Sequence, residues 1–130
     1  MTTIVKSPSL DPDPPHLAEL VAYRRHVLVV NRFTVPDEVA EAFRADLEAA
    51  LEVLARQRGY ADGQLGRNVD DPSLWTMVTR WRDVGSYRRA LSTYDVKTGA
   101  VPLLSRAIDE PSAYESLEGE LNESSPRQLG

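Results

Sequence analysis

Two segments of the chain, residues 27–35 and 74–81, carry apolar side chains at both odd and even positions. The first reads Val-Leu-Val-Val-Asn-Arg-Phe-Thr-Val, and the second reads Leu-Trp-Thr-Met-Val-Thr-Arg-Trp. Successive side chains of a β-strand point to opposite faces, so strands of this composition are expected to be covered on both sides. This requirement constrains the fold more than any other feature of the sequence.

The stretch after the first strand predicts an amphipathic helix. Pro36 and Asp37 mark its start, because proline is tolerated in the first turn of a helix, and Gly59 marks its end. Charged residues such as Glu41 and Glu52 lie between the apolar positions and form the opposite side. The apolar side chains recur at the spacing of one helix face: Val39, Phe43, Leu47, Ala50, Leu51 and Leu54.

A second strand is predicted over residues 60–69. Gly63 and Gly66 interrupt it, and glycines within a strand often mark a bulge or a close approach of another group. The Asp-Asp-Pro-Ser sequence at 70–73 is a turn signal, so this strand and the segment 74–81 are expected to form a hairpin.

The last third of the chain begins with a helix that opens at Asp83. Residues 94–107 are ambiguous, because Gly99 and Pro102 interrupt a stretch that still contains apolar residues in need of burial. Residues 111–117 are expected to supply a final strand at the edge of the sheet.

The predicted order of elements is β-α-β-β-α-β, which is the ferredoxin-like arrangement of the α+β class. In this fold both helices pack on one face of an antiparallel sheet. The other face is also apolar here, and a second copy of the sheet is the simplest way to cover it. We therefore expect a homodimer formed through sheet faces.

The ends of the chain differ in composition from its middle. Residues 1–25 contain four prolines near their start and are expected to form an arm that is partly disordered or a short helix. Residues 26–118 are expected to form the folded domain. Residues 119–130 are acidic and then rich in serine, and they predict a flexible tail.

The composition excludes several classes of function. With 130 residues the chain fits one domain, and its net charge of −5 argues against nucleic acid as the main partner, because phosphate binding needs a concentrated basic surface. It has no cysteine, so disulfides and thiolate chemistry are excluded. We find no metal-ligand spacing, no signal-peptide pattern and no apolar run long enough to cross a bilayer. A cytoplasmic protein without a membrane partner is expected.

Three residues suggest a site. Trp81 ends a strand, Tyr87 follows six residues later on the next helix, and Asn31 lies on the first strand with the same parity as its apolar residues. An indole wall, a phenol and an amide are suited to a flat aromatic ligand. Each residue could equally have a purely structural role. Large aromatic residues on such a strand are often core residues, and a buried amide often forms hydrogen bonds with backbone groups.

The sequence resembles the antibiotic biosynthesis monooxygenase superfamily over residues 27–117. The resemblance rests on Val-Val-Asn-Arg-Phe-Thr-Val in the first strand and on Trp-Thr-Met-Val-Thr-Arg-Trp followed by Ser-Tyr-Arg-Arg-Ala-Leu. It implies a dimeric α+β barrel built from the ferredoxin-like unit. Because members of one fold differ in activity, the resemblance indicates the fold more strongly than the reaction.

Two branches of this superfamily have site residues that can be compared with residues of this sequence. In the small monooxygenases that oxidise aromatic polyketides without metal or flavin, a tryptophan and a tyrosine six residues later contribute to the pocket, as Trp81 and Tyr87 would here. Those enzymes resemble one another in an asparagine four residues before the tryptophan, where this chain has Met77. In the haem-degrading branch Asn31 and Trp81 would flank haem.

The haem-degrading branch ligates iron with a histidine after the second helix. This chain has only His16 and His26, and both precede the first strand. Binding or degradation of haem is therefore less favoured than oxidation of an aromatic substrate.

The leading hypothesis is a cofactor-independent monooxygenase that oxidises an aromatic phenol or quinol to a quinone with O₂. Asn31, Trp81 and Tyr87 are the expected catalytic residues, the substrate is a small aromatic molecule, and no cofactor is expected. The alternative is a non-catalytic small-ligand-binding or structural dimer of the same fold, which the methionine at position 77 and the lack of a titratable catalytic group favour.

Overall fold

The structure is a computed structural model that describes residues 26–118. The predicted arm at 1–25 and the predicted tail at 119–130 lie outside the described residues. The sheet and the helices that cover it therefore belong to the segment expected to form the folded domain.

Four strands form one antiparallel sheet in the order β2-β3-β1-β4. Their bounds are β1 Val27–Thr34, β2 Tyr60–Arg67, β3 Leu74–Trp81 and β4 Ala113–Glu115. The central pair β1 and β3 is in register over eight residues without a break. The hairpin between β2 and β3 has one irregularity near its open end, at Tyr60/Asp62.

The helical segments lie in the two crossovers. A single 3₁₀ turn, Asp37–Val39, leads into α1, Ala40–Ala55. The second crossover contains α2 Val84–Leu91, α3 Tyr94–Gly99 and α4 Val101–Leu104.

This arrangement confirms the predicted ferredoxin-like α+β fold, with two differences in detail. The ambiguous segment 94–107 forms two short helices, and the last strand is only three residues long, shorter than the predicted 111–117. Its position at the edge of the sheet, beside β1, is as predicted.

The second crossover is fixed by side-chain caps at two helix starts. The carboxylate of Asp83 accepts a hydrogen bond of 2.7 Å from the backbone N–H of Ser86, and the hydroxyl of Thr93 accepts one of 3.3 Å from Val96 N–H. Such caps satisfy backbone donors that have no partner within the helix. They explain why helices as short as these begin where they do.

The core lies between the helices and the odd-numbered face of the central strands. Strand β3 alternates without exception, with its odd residues buried and its even residues half-buried. The buried set comprises Trp75, Met77, Thr79 and Trp81. Phe43 of α1 packs edge-on against Phe33 and Trp75, with ring centroids 5.3 and 6.0 Å apart.

The other face of the sheet carries no helix among the residues that the structure describes. We call it the open face and define it by Leu28, Val30, Val78 and Tyr114, which the register places on one side. The first three are half-buried within a single chain, and Tyr114 is half exposed. Of the two apolar faces that the sequence predicts for these strands, one is thus covered by the helices and the other is uncovered in the monomer.

None of the helices within residues 26–118 has the length and apolar character needed to span a membrane.

Gly59, between α1 and β2, is the position at which the backbone itself requires glycine. Its φ angle is +91°, and a Cβ there would collide with the Cβ of Ser86 on α2. Its carbonyl also accepts a 2.7 Å hydrogen bond from the backbone N–H of Arg82, which ties the end of α1 to the end of β3. Both the angle and the contact exclude a side chain at this point.

We expect Gly59→Ala to lower the free energy of unfolding by about 2 kcal/mol, because strain and the Ser86 contact act together. Urea denaturation followed by circular dichroism measures the change. Gly66→Ala is the matched control, since a Cβ at that position would meet only the Thr76 methyl at 3.4 Å. Equal stability losses in the two variants would contradict this account of Gly59.

Candidate functional site

Trp81 lies at the centre of a buried aromatic cluster. Its ring is fully buried at the end of β3, with the rings of Tyr60 and Tyr87 each 5.5 Å away, centroid to centroid. We refer to these three residues as the aromatic cluster. The structure thus brings Trp81 and Tyr87 together, and it adds Tyr60 from β2, which the sequence alone did not identify.

The polar atom of Trp81 is satisfied inside the protein. The indole Nε1–H donates a 2.9 Å hydrogen bond to Oγ1 of Thr79, two residues earlier on the same face of β3. A buried indole usually finds such a partner. In this conformation Trp81 is therefore fixed in orientation and supports the side chains that pack on it.

The two tyrosines of the aromatic cluster are held in their neutral form. Burial raises the pKa of Tyr87, while the side chain of Ser112 acts in the opposite direction. Burial also raises the pKa of Tyr60, with a further contribution from the nearby Asp62 carboxylate. Both phenols consequently remain hydrogen-bond donors throughout the neutral pH range.

Asn31 lies on the same face of the sheet but farther along it. It is half-buried and stands opposite Met77, whereas Trp81 stands opposite Val27. Four residues of strand separate the two positions, or roughly 13 Å. The structure does not bring Asn31 and Trp81 into direct contact.

Tyr87 lies next to both Trp81 and Ser112. The Tyr87 ring packs on Trp81, and its hydroxyl is within reach of Ser112. The carbonyl of Ser112 accepts a 2.7 Å hydrogen bond from the backbone N–H of Val30, the neighbour of Asn31. The structure therefore brings Tyr87 together with Trp81, whereas the link from Tyr87 toward β1 runs through the backbone of Ser112 and Val30.

A cleft of about 190 Å³ opens at the other end of the sheet, between α1 and β2. It is lined by Arg44, Leu47, Leu65, Gly66, Arg67 and Trp75. None of the three predicted site residues lines this cleft. Leu65, Gly66 and Arg67 lie beside Trp75 because of the register of β2 with β3.

Arg80 lies on the opposite face of β3 from Trp81, because the two residues are adjacent on the strand. Its guanidinium pairs with both carboxylate oxygens of Asp62, the Nε bond being 2.9 Å long. Arg32, also an even-numbered residue, pairs in the same way with Glu110 through two 2.7 Å bonds. Both pairs hold the pKa of their carboxylates below the ordinary value. Neither arginine faces the aromatic cluster.

Within residues 26–118, no three histidine, aspartate or glutamate side chains cluster closely enough to hold a metal ion. The segment in which the haem-degrading branch places its histidine corresponds to α3, whose inward residue is the fully buried Val96. The described part of the chain contains one histidine, His26, at the start of β1.

Comparison with known protein families matches residues 26–100 to the family described as antibiotic biosynthesis monooxygenase. The comparison with curated proteins found no match. Solved structures do match, and they share the fold described above.

One of these structures is SnoaB from Streptomyces nogalater, a cofactor-independent oxygenase crystallised in a form with one asparagine replaced by alanine. It is 26% identical, with a TM-score of 0.63 over 75% of this chain and 99% of SnoaB. Another is a conserved protein from Methanosarcina mazei Go1, 22% identical, with a TM-score of 0.60 over 75% of this chain and 98% of that protein.

The neutral tyrosines predict a loss of stability in alkaline solution. A phenol whose pKa is raised by folding stabilises the protein fully below its unfolded pKa of about 10, and this stability is lost as the pH rises through the higher folded pKa. We expect the free energy of unfolding to fall as the pH rises from about 9 through the unfolded pKa and on toward the higher folded pKa. Urea titrations at several pH values measure it.

The Tyr87→Phe variant provides the control, because it removes the more buried of the two phenols. Its free energy of unfolding should fall less steeply with pH over the same range. Identical slopes for the parent protein and this variant would show that Tyr87 is not held neutral by the fold.

Proposed function

Because the chain belongs to the antibiotic biosynthesis monooxygenase family, we propose that it is a cofactor-independent monooxygenase that oxidises an aromatic phenol or quinol with O₂. The observation that carries this proposal is the packing of Tyr87 on Trp81 at the end of β3, with Asn31 on the same face of the sheet. The likeness to SnoaB, a cofactor-independent oxygenase, supports it.

The chemistry requires no cofactor in principle, because an electron-rich phenol becomes a good electron donor once it loses its proton. The phenolate passes one electron to O₂, and the resulting radical pair combines to form a peroxide on the ring carbon. Loss of water from this peroxide leaves a carbonyl. Overall a CH₂ group and O₂ give C=O and H₂O, as in the conversion of an anthrone to an anthraquinone.

The protein's task in this scheme is to stabilise the phenolate and to exclude water. The Tyr87 hydroxyl, protonated at neutral pH, donates a hydrogen bond to the substrate oxygen. The Asn31 amide donates a second one to the same developing charge. Trp81 holds the Tyr87 ring in place from behind, so its contribution is to position the phenol.

The methionine at position 77 is compatible with this scheme because of the strand register. The resemblance to the polyketide-oxidising branch would place an asparagine at that position. Asn31 stands directly opposite Met77 on the neighbouring strand. The Cβ atoms of such a pair are about 5 Å apart and on the same face, so Asn31 presents its amide to nearly the same space.

We expect oxygen-dependent conversion of anthrone to anthraquinone that continues in the presence of a metal chelator. Asn31→Ala and Tyr87→Phe should each lower kcat roughly 10²-fold, the usual cost of losing one donor to a developing oxyanion. Trp81→Phe should have a smaller effect. Absorbance of the quinone, recorded in air and under nitrogen, measures the rate, and no turnover across a panel of anthrones and hydroquinones would contradict the proposal.

Moving the amide gives the sharper control. In the double variant Asn31→Ala with Met77→Asn the amide returns to the same space from the other strand, so part of the lost rate should be recovered. Glu52→Ala, at an exposed position on α1, is the neutral comparison. An Asn31→Ala variant that folds normally and retains the full rate would exclude Asn31 from the reaction.

The second candidate function is a non-catalytic ligand-binding or structural dimer. The observation in its favour is the complete burial of Trp81, whose indole N–H is already satisfied by Thr79. Under this function, replacing Asn31 or Tyr87 would change thermal stability or ligand affinity, but no substrate would be oxidised.

We propose further that two copies of the chain associate through the open face. This face places Leu28, Val30, Val78 and Tyr114 side by side, and the two arginine–carboxylate pairs flank them. Burial of apolar area contributes about 25 cal/mol per Å², and stable dimers bury more than about 1,000 Å² in total. A face-to-face pair of four-stranded sheets provides a contact of this size.

We expect sedimentation equilibrium to give a dimer for the parent protein and a monomer for Val78→Lys, because a buried lysine at the centre of this face would be left without a partner. Ala45→Lys, an exposed position on α1, is the matched control and should remain dimeric. A monomeric parent protein, or a Val78→Lys variant that is folded and dimeric, would contradict the proposed interface.

A further inference from the structure

The cleft between α1 and β2 combines an apolar wall with two cations. Leu47 and Leu65 form the wall together with Trp75, while Arg44 and Arg67 stand at the rim. Its volume of about 190 Å³ exceeds the roughly 150 Å³ of a cavity that holds benzene. The cleft is therefore large enough for one aromatic ring with a substituent.

The aromatic part of this wall is rigid. Trp75 is almost fully buried, and its indole N–H donates a 2.8 Å hydrogen bond to the carbonyl of Pro72 in the preceding turn. The Phe43 ring packs on it at 67°. A surface held in this way loses little conformational freedom when a ligand binds, which favours affinity.

The two arginines give the cleft a local positive charge in a chain that is acidic overall. The Arg67 guanidinium lies 5.8 Å from the centre of the Trp75 ring and makes no ion pair with any residue of the described segment 26–118. Arg44 donates through Nε to Glu48, over 3.2 Å and at an exposed position. This bond leaves the two terminal NH₂ groups of Arg44 available.

From this combination we propose that the cleft binds a planar aromatic monoanion of single-ring size, such as a benzoate. The ring would lie against the apolar wall. The carboxylate would accept hydrogen bonds from the Arg67 guanidinium and from the free edge of Arg44. Guanidinium groups recognise carboxylates well because their donors match the two oxygens in geometry.

This site is separate from the oxidation site proposed above. Trp75 and Trp81 are six residues apart on β3, or roughly 20 Å along the strand. A single-ring ligand in the cleft therefore does not reach Tyr87, which packs on Trp81, and Asn31 is not among the residues that line the cleft. Binding in the cleft does not depend on whether the protein oxidises a phenol.

Isothermal titration calorimetry of the full chain with sodium benzoate tests the proposal. We expect saturable binding about tenfold tighter than that of benzamide, which has the ring without the charge, because a charge-assisted hydrogen bond is worth this much. Cyclohexanecarboxylate, which has the charge without the aromatic ring, should also bind more weakly. Benzoate affinity should fall with added salt.

Variants locate the site. Arg67→Gln and Arg44→Gln should each weaken benzoate binding at least about fivefold, since each removes one charged donor. Arg88→Gln, an exposed arginine on α2 outside the cleft, should leave the affinity unchanged. Tyr87→Phe should also leave it unchanged, which keeps this test independent of the oxidation site.

Three results would overturn the proposal. One is the absence of saturable heat with benzoate, and another is equal affinity for benzoate and benzamide. The third is an Arg88→Gln variant that loses as much affinity as Arg67→Gln, because the anion would then respond to net charge and not to the cleft.

Discussion

The unbroken antiparallel pairing of β1 with β3 is the constraint on which the rest of the structure depends. Eight residue pairs in one register decide which side chains meet the helices and which form the open face. Side chains alternate with a period of two, so a slip of one residue would turn Trp75, Met77 and Trp81 away from the helices. The core, the aromatic cluster and the position of Asn31 opposite Met77 all follow from this register.

The aromatic cluster packs at the end of β3, where the proposed reaction would take place. Trp81 is fully enclosed, with its single polar atom satisfied by Thr79, and it therefore contributes rigidity. Tyr87 and Asn31 are half-buried, so neither residue is enclosed as completely as Trp81. We therefore propose substrate contact for these two residues and a supporting role for Trp81.

The features that depend on local periodicity are predicted correctly from the sequence. The spacing from Phe43 to Leu54 gives α1, and the ends of β1 and β3 lie within a residue of the predicted ones. Features that depend on the register between strands cannot be predicted from the sequence alone. Tyr60 joins the aromatic cluster only because a bulge shifts the start of β2, and Arg67 reaches Trp75 only through the β2–β3 pairing. The helices α3 and α4 were not predicted, because Gly99 and Pro102 interrupt the sequence pattern. Their helical turns depend on the burial of Val96 and Leu103 and not on helix propensity.

The proposed reaction is tested most directly by the fate of the oxygen atoms. Anthrone should be incubated with the protein under isotopically heavy oxygen gas, and the product analysed by mass spectrometry. The account predicts one heavy oxygen atom in each anthraquinone, since the new carbonyl oxygen derives from O₂ and the other atom leaves as water. Formation of unlabelled anthraquinone, or no conversion above the rate of the protein-free control, would contradict it.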